Sequence, residues 1–209
     1  MEAAMTLMRR AGFHCEKVHL QFGMGVVLIA LLSLPVSRAW LESSLIHHML
    51  MQIPLLALAG GVIGRGMIGK RTTGTSLYRW NEKGVPGLII ALFGMLFWMI
   101  PRWLDASLSE PLWEVIKFIT VPLMIGLPLA ISWSQLSPFA RAVVWSHAIS
   151  MLLFIGWLYV AAPVRVCNNY LVNQQEAFGY TAMVLALAIA LYWVGKVFFG
   201  NWNSPPEKH

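Results

Sequence analysis

The chain has 209 residues, of which 58% are hydrophobic and only 11% charged, and its mean hydropathy is +0.66. A water-soluble domain carries about a quarter charged residues, and a charge at the centre of a lipid-embedded helix costs roughly 2.5–3.5 kcal/mol. The composition is that of an integral membrane protein with no room for a soluble catalytic domain, and the formal net charge of +6, spread over the ends of apolar stretches, is a topology signal rather than a nucleic-acid surface.

Residues 1–19 read as a polar, cytoplasmic N-terminal segment. Arg9 and Arg10 are followed by a polar stretch with Glu16 and Lys17, where a cleavable signal would need an apolar run and a small-residue cleavage site. Six apolar stretches follow, at 20–36, 45–63, 85–100, 115–133, 142–162 and 177–199. Each is close to the length of about 17–25 residues that a helical crossing needs. The expected fold is an all-α polytopic bundle of about six transmembrane helices over 20–199, with a cytoplasmic tail at 200–209. The second stretch carries Ala57, Ala59, Gly60, Gly61 and Gly64, which let a neighbouring helix approach closely. Pro122 and Pro128 in the fourth free backbone carbonyls that neighbours must satisfy, so that span is expected to kink against protein.

Lys and Arg set the orientation. With a cytoplasmic N-terminus, the inner segments hold Arg9, Arg10, Lys17, Arg65, Lys70, Arg71, Arg79, Lys83, Arg141, Lys196 and Lys208; the outer segments hold Arg38, Arg102, Lys117 and Arg165. Both termini are then cytoplasmic. Trp40, Trp98, Trp103 and Trp113 fall near the outer interface, and Trp80, Trp133, Trp145 and Trp202 near the inner one, as aromatic belts require. Cys15 and Cys167 fall on opposite sides, which excludes a disulfide between them. Labelling from outside intact cells is expected to modify Cys167 and spare Cys15.

This orientation gathers polar residues at the outer end. His48 and Gln52 are four residues apart and share a helix face, as do His47 and Met51. Asn168 and Asn169, then Asn173, Gln174, Gln175 and Glu176, precede the sixth span, with Cys167 just before them. Met95 and Met99 reach a similar depth on the third. Imidazole, thioether and thiolate together suit a soft ion such as Cu(I). The alternatives are a hydrated interfacial histidine, methionine as apolar filler, and an Asn/Gln run that is a helix cap and loop. His19 and His147 lie at a second, inner depth, where they could be axial haem ligands or merely hydrogen-bonded to neighbouring helices. No H-E-x-x-H, G-x-S-x-G or Walker loop is present, and the chain is read as a non-enzyme.

The run from Phe22 to Pro35, followed by His47-His48-Met49-Leu50-Met51-Gln52-Ile53-Pro54-Leu55-Leu56, resembles the CtaG-type cytochrome c oxidase assembly family. That family has a similar span, then a helix opening H-M-x-Q-H and continuing P-P-L-L. Asn173-Gln174-Gln175 resembles its D-Q-Q element, and Leu96-Phe97-Trp98 with Pro101 resembles its F-W-x-P span end. Gln52 stands where the family has a second histidine and Asn173 where it has an acid, and the family has an additional span. The resemblance implies a bacterial inner-membrane accessory protein that delivers copper during assembly of a respiratory haem–copper complex, its lipid and that complex being the partners. The metal set would be His47, His48, Met51 and Gln52, closed by Asn173, Gln174 and Gln175. Two other readings are a haem-binding electron-transfer subunit using His19, His147 and one of His47 or His48, and a structural subunit without a cofactor. The metal reading requires the second and sixth spans to meet at their outer ends, with His47, His48 or Gln52 within about 8 Å of Asn173–Gln175, and favours those amides over Ser33 and Ser37 of the first span as partners of Gln52.

Overall fold

The computed structural model describes residues 19–67, 79–162 and 164–199. Cys15, Trp202 and the basic residues Arg9, Arg10, Lys17, Lys70, Arg71 and Lys208 lie outside these. The helices are α1 (His19–Ser33), α2 (Pro35–Leu41), α3 (Leu45–Met67), α4 (Val85–Met99), α5 (Pro101–Ser109), α6 (Pro111–Trp133), α7 (Pro138–Ala161) and α8 (Val172–Phe199). Four of them, α3, α6, α7 and α8, are long and apolar enough to cross a membrane, and counting the bent pairs α1–α2 and α4–α5 as one crossing each gives six. The all-α membrane architecture is as expected; the element ends are not.

Prolines set those ends. The first stretch stops at Ser33 and turns by 71° into α2, and α4 turns by 69° into α5. Leu34 (φ −61°, ψ 139°) and Ile100 (φ −72°, ψ 120°) are extended because a following proline disfavours helical geometry in its predecessor. Pro35, Pro101, Pro111 and Pro138 then open helices at the position where a missing N–H costs nothing. Ser137 caps α7 by accepting from the Ala140 amide at 3.1 Å. The fourth span therefore begins at Pro111 rather than 115, and the sixth at Val172 rather than 177, so Asn173 to Glu176 form the first turns of α8.

Inside α3 and α6 prolines act differently. Pro54 follows a π-helical turn at His48–Gln52, and Pro122 and Pro128 flank or lie within another at Val121–Gly126. A proline cannot bond the carbonyl four residues back, and a wider turn accommodates the gap. These two spans pack along much of their length. Gly60 lies against the Pro122 backbone, Gly126 against the Ala57 carbonyl, and a Cβ on Gly64 would stand 2.9 Å from the Leu127 oxygen. The small-residue face of α3 thus has α6 as its partner. α1 rests on the opposite side of α3, with Gly25 against Ile63 and Ala59, while α7 and α8 form a hairpin with Gly156 against Gly179.

This hairpin docks on the first turn of α3 through a cluster of Leu45, Met49, Leu104, Tyr159, Cys167 and Phe178. The second and sixth spans do therefore meet at the His48 end of the bundle. Trp98, expected in an interfacial belt, is instead buried and donates to Thr120 Oγ1 at 3.0 Å.

Gly126→Ala should lower the thermal unfolding midpoint in detergent by the equivalent of about 1–3 kcal/mol, the usual cost of overpacking. Gly61→Ala, whose Cβ would meet nothing nearer than 3.7 Å, should shift it by no more than about 0.5 kcal/mol; equal effects would mean that close α3–α6 approach is not what holds the pair.

Candidate functional site

The π-turn of α3 points His48 and Gln52 into the bundle, where both are fully buried, and leaves Met51 exposed. Gln52 does not bond Asn173, Gln174 or Gln175. Its amide nitrogen donates to Glu42 Oε1 at 3.0 Å, and its oxygen accepts from Lys117 Nζ at 3.3 Å. Lys117 Nζ also donates to Glu42 Oε1 at 2.8 Å. Beside this triad Arg38 pairs with Glu114. Two cations and two carboxylates cancel, so the group carries no formal charge into the bundle.

Local sequence explains the register. Arg38 and Glu42 are four apart along α2 and the residue that caps it; Glu114 and Lys117 are three apart on α6. Each pair shares a face, and the two faces present opposite charges to each other. Lys117, counted from sequence among the outer topology-setting cations, is a fully buried member of an ion pair, because α6 starts at Pro111 and carries Lys117 into its second turn.

His48 belongs to a second chain of bonds. Its Nδ1 lies 3.2 Å from the Tyr170 hydroxyl, which itself donates to the Glu42 carbonyl at 3.0 Å. With that hydroxyl hydrogen already committed, Nδ1 carries the ring proton and donates to the phenol oxygen, which leaves the lone pair on Nε2. Nε2 is enclosed and has no partner. Burial, with the Glu42 carboxylate nearby, raises the Tyr170 phenol above its ordinary range, so it stays a donor at neutral pH. His47 stacks on Trp40, rings 4.5 Å apart and 19° from parallel, with its Nδ1 enclosed and unpartnered.

The amides of α8 serve the loop before it. Gln175 accepts from the Val166 and Cys167 amides at 3.0 and 3.4 Å and donates to the Cys167 and Tyr170 carbonyls, both at 2.9 Å. Asn173 is exposed and Gln174 half-buried. Asp105 on α5 anchors the other side of the loop, accepting from the Asn168 and Asn169 amides at 3.0 and 3.1 Å. Gln175 thus reaches His48 through Tyr170, whose carbonyl it holds and whose hydroxyl bonds the imidazole. Sequence reasoning missed Glu42, Lys117, Tyr170 and Asp105. The available signal was Lys117 itself, a cation inside an apolar run that needs a partner.

Among the described residues no three of His, Cys, Asp or Glu converge as a metal cage. His48 offers one free donor, Gln52 is consumed at both ends of its amide, and Met51 faces outward. These residues do not make a closed copper site. Of the haem alternative, His19 is exposed at the start of α1, while His147 is half-buried with its Nε2 enclosed and unpartnered.

Cys167 is buried, its Sγ 2.9 Å from the Tyr159 hydroxyl, and burial pushes its thiol up to about 11. Outside labelling of the folded protein, expected from sequence, is therefore blocked by packing on either side of a membrane. Maleimide should react with Cys167 slowly at pH 7 in the native protein, since the thiolate is the nucleophile, and faster as pH rises toward 11 or on unfolding; rapid native labelling at pH 7 would show the loop to be open. Lys117→Met should destabilise the protein by about 3–5 kcal/mol, because it strands a partly buried carboxylate. Glu42→Gln/Lys117→Met should lose clearly less, and Arg38→Gln, at a half-exposed pair, about 1 kcal/mol or less. A double-mutant cycle read by unfolding in detergent measures all three; additivity of Glu42 and Lys117 would dismiss their coupling.

Comparison with protein-family profiles, with curated proteins and with solved structures finds no match to this chain. By helix length and composition it is a multi-pass helical membrane protein.

Proposed function

We propose that the protein is a non-enzymatic accessory factor in the bacterial inner membrane, both termini cytoplasmic, that assists assembly or metallation of a respiratory haem–copper complex. One observation carries the reading: the His48 Nε2 lone pair, enclosed at one end of the bundle and held in a fixed tautomer by Tyr170. A buried polar atom without a partner is uncommon, and a histidine whose other ring nitrogen is hydrogen-bonded in this way is the usual form of a metal ligand. The motif order around His47–Leu56 and Asn173–Gln175 supports the same reading.

Copper would supply a soft cation for imidazole and thioether donors. On this chain His48 is the donor, with Met49 and the half-buried Met99 in the core beside it. A factor that hands a metal on needs few and exchangeable ligands, and an incomplete set is suited to that task where a closed cage is not. The neutral Arg38–Glu42–Glu114–Lys117 group sets no net charge against an incoming cation.

Deletion of the gene from its host should lower the oxygen consumption of the haem–copper oxidase, and the wild-type chain should restore it. His48→Ala should fail to restore it at near-normal amounts of membrane-inserted protein, while His147→Ala should succeed. Full restoration by the His47→Ala/His48→Ala variant, or unchanged oxygen consumption in the deletion, would reject the proposal. A haem-binding electron-transfer subunit is the second reading, favoured by the unpartnered Nε2 of His147; a Soret band in the purified protein that is lost in His147→Ala would select it.

A further inference from the structure

A cavity of about 620 Å³ lies between α3 and α6 on one side and the α7–α8 hairpin on the other. Its wall follows α3 from Met49 to Arg65, sixteen residues or roughly 24 Å at 1.5 Å per residue. A cavity of that volume drawn out along that wall accommodates a single extended hydrocarbon chain.

The lining is apolar except at one end. Near the His48 end it consists of Met49, Trp98, Met99 and Phe178; at the opposite end Arg65 and Trp133 form its rim. Arg65 is exposed, and among the described residues it has no ion-pair partner. A second cation touches the same indole: Arg141 donates to the Trp133 and Ser134 carbonyls at 3.1 and 3.4 Å and lies over the Trp133 ring at 5.8 Å. An apolar cavity lined at one end by an arginine and an indole is complementary to a molecule with a hydrocarbon tail and an anionic head. Arginine binds phosphate oxygens through its planar fork of donors, and indole rings settle at the headgroup level of a bilayer.

We propose that this slot binds one acyl chain of an anionic membrane phospholipid, with the lipid phosphate on Arg65 at the rim. The site is independent of His48, which is not among its lining residues. It makes the lipid a filling between the α3–α6 pair and the α7–α8 hairpin, two units that also pack on each other around Leu45, Met49 and Phe178 at one end and around Leu129, Trp133 and Val144 at the other.

Native mass spectrometry of the full chain in detergent tests this with phosphatidylglycerol and phosphatidylcholine of equal chain length as probes. The wild-type protein should retain one phosphatidylglycerol through mild delipidation and bind it at least tenfold more tightly than phosphatidylcholine. Arg65→Gln should remove that preference and Arg65→Lys should keep part of it, since an exposed arginine at a helix end can be replaced without unfolding the bundle. Ala148→Trp and Leu58→Trp, which place an indole in the slot from α7 and from α3, should weaken both lipids; a thermal melt of each variant identifies any that fail to fold, and the arginine variants carry the test alone in that case. Equal retention of the two lipids by the wild type, an unchanged preference in Arg65→Gln, or a mass showing a second copy of the chain or a free fatty acid in place of the phospholipid would overturn the proposal.

Discussion

A lysine ammonium that no water reaches must have its charge answered inside the protein, and the arrangement around Lys117 follows from that. Its two acceptors, Glu42 and Gln52, come from the turn after α2 and from the π-turn of α3. The backbone carbonyl of Glu42 then accepts from Tyr170, and Tyr170 holds His48 and is held by Gln175. One buried charge thereby ties the neighbouring segments at Glu42 and Gln52 to α6 and to the loop before α8, 65 and 128 residues away. Helices in lipid gain little by covering apolar surface on one another, so directional bonds and close backbone approach decide which faces meet.

Proline supplies the second organising constraint, in two ways that depend on context. Before a helix it forces its predecessor to be extended and redirects the chain, as at Leu34 and Ile100. Within a helix it removes a bond, and the gap is absorbed by a wider turn. The turn at Val121–Gly126 lets the α6 backbone come against Gly60 and Ala57; the turn at His48–Gln52 sends two polar side chains to the same interior. The residues that weaken each helix locally are those that allow the tight packing and the polar centre.

The apolar stretches and their number were legible because a bilayer demands long uncharged runs, and no other environment does. The shared face of His48 and Gln52 was legible from their four-residue spacing; the exposure of Met51, which the metal set had included, was not, because it depends on how the π-turn is oriented in the bundle. Gln52's partners were not. Glu42 and Lys117 sit 10 and 65 residues away from it in sequence, and their encounter depends on a bend whose angle no local pattern specifies. The same holds for Asp105, which looks like an ordinary exposed acid until the loop at Asn168 and Asn169 closes over it. Trp98 shows a related limit: depth along a helix can be counted, but that its ring faces protein depends on its neighbours.

The break at Pro101 leaves α4 only 15 residues long, a rise of roughly 22 Å, beside crossings of 23 to 28 residues in α3, α6, α7 and α8. A hydrocarbon layer is about 30 Å thick, and a shorter apolar segment is met by local thinning of the lipid around it. The protein therefore presents two hydrophobic heights to its surroundings, a low flank at α4 and a tall one at the α7–α8 hairpin. A low apolar flank beside a taller one asks the surrounding lipid to change thickness along the perimeter of a single small protein.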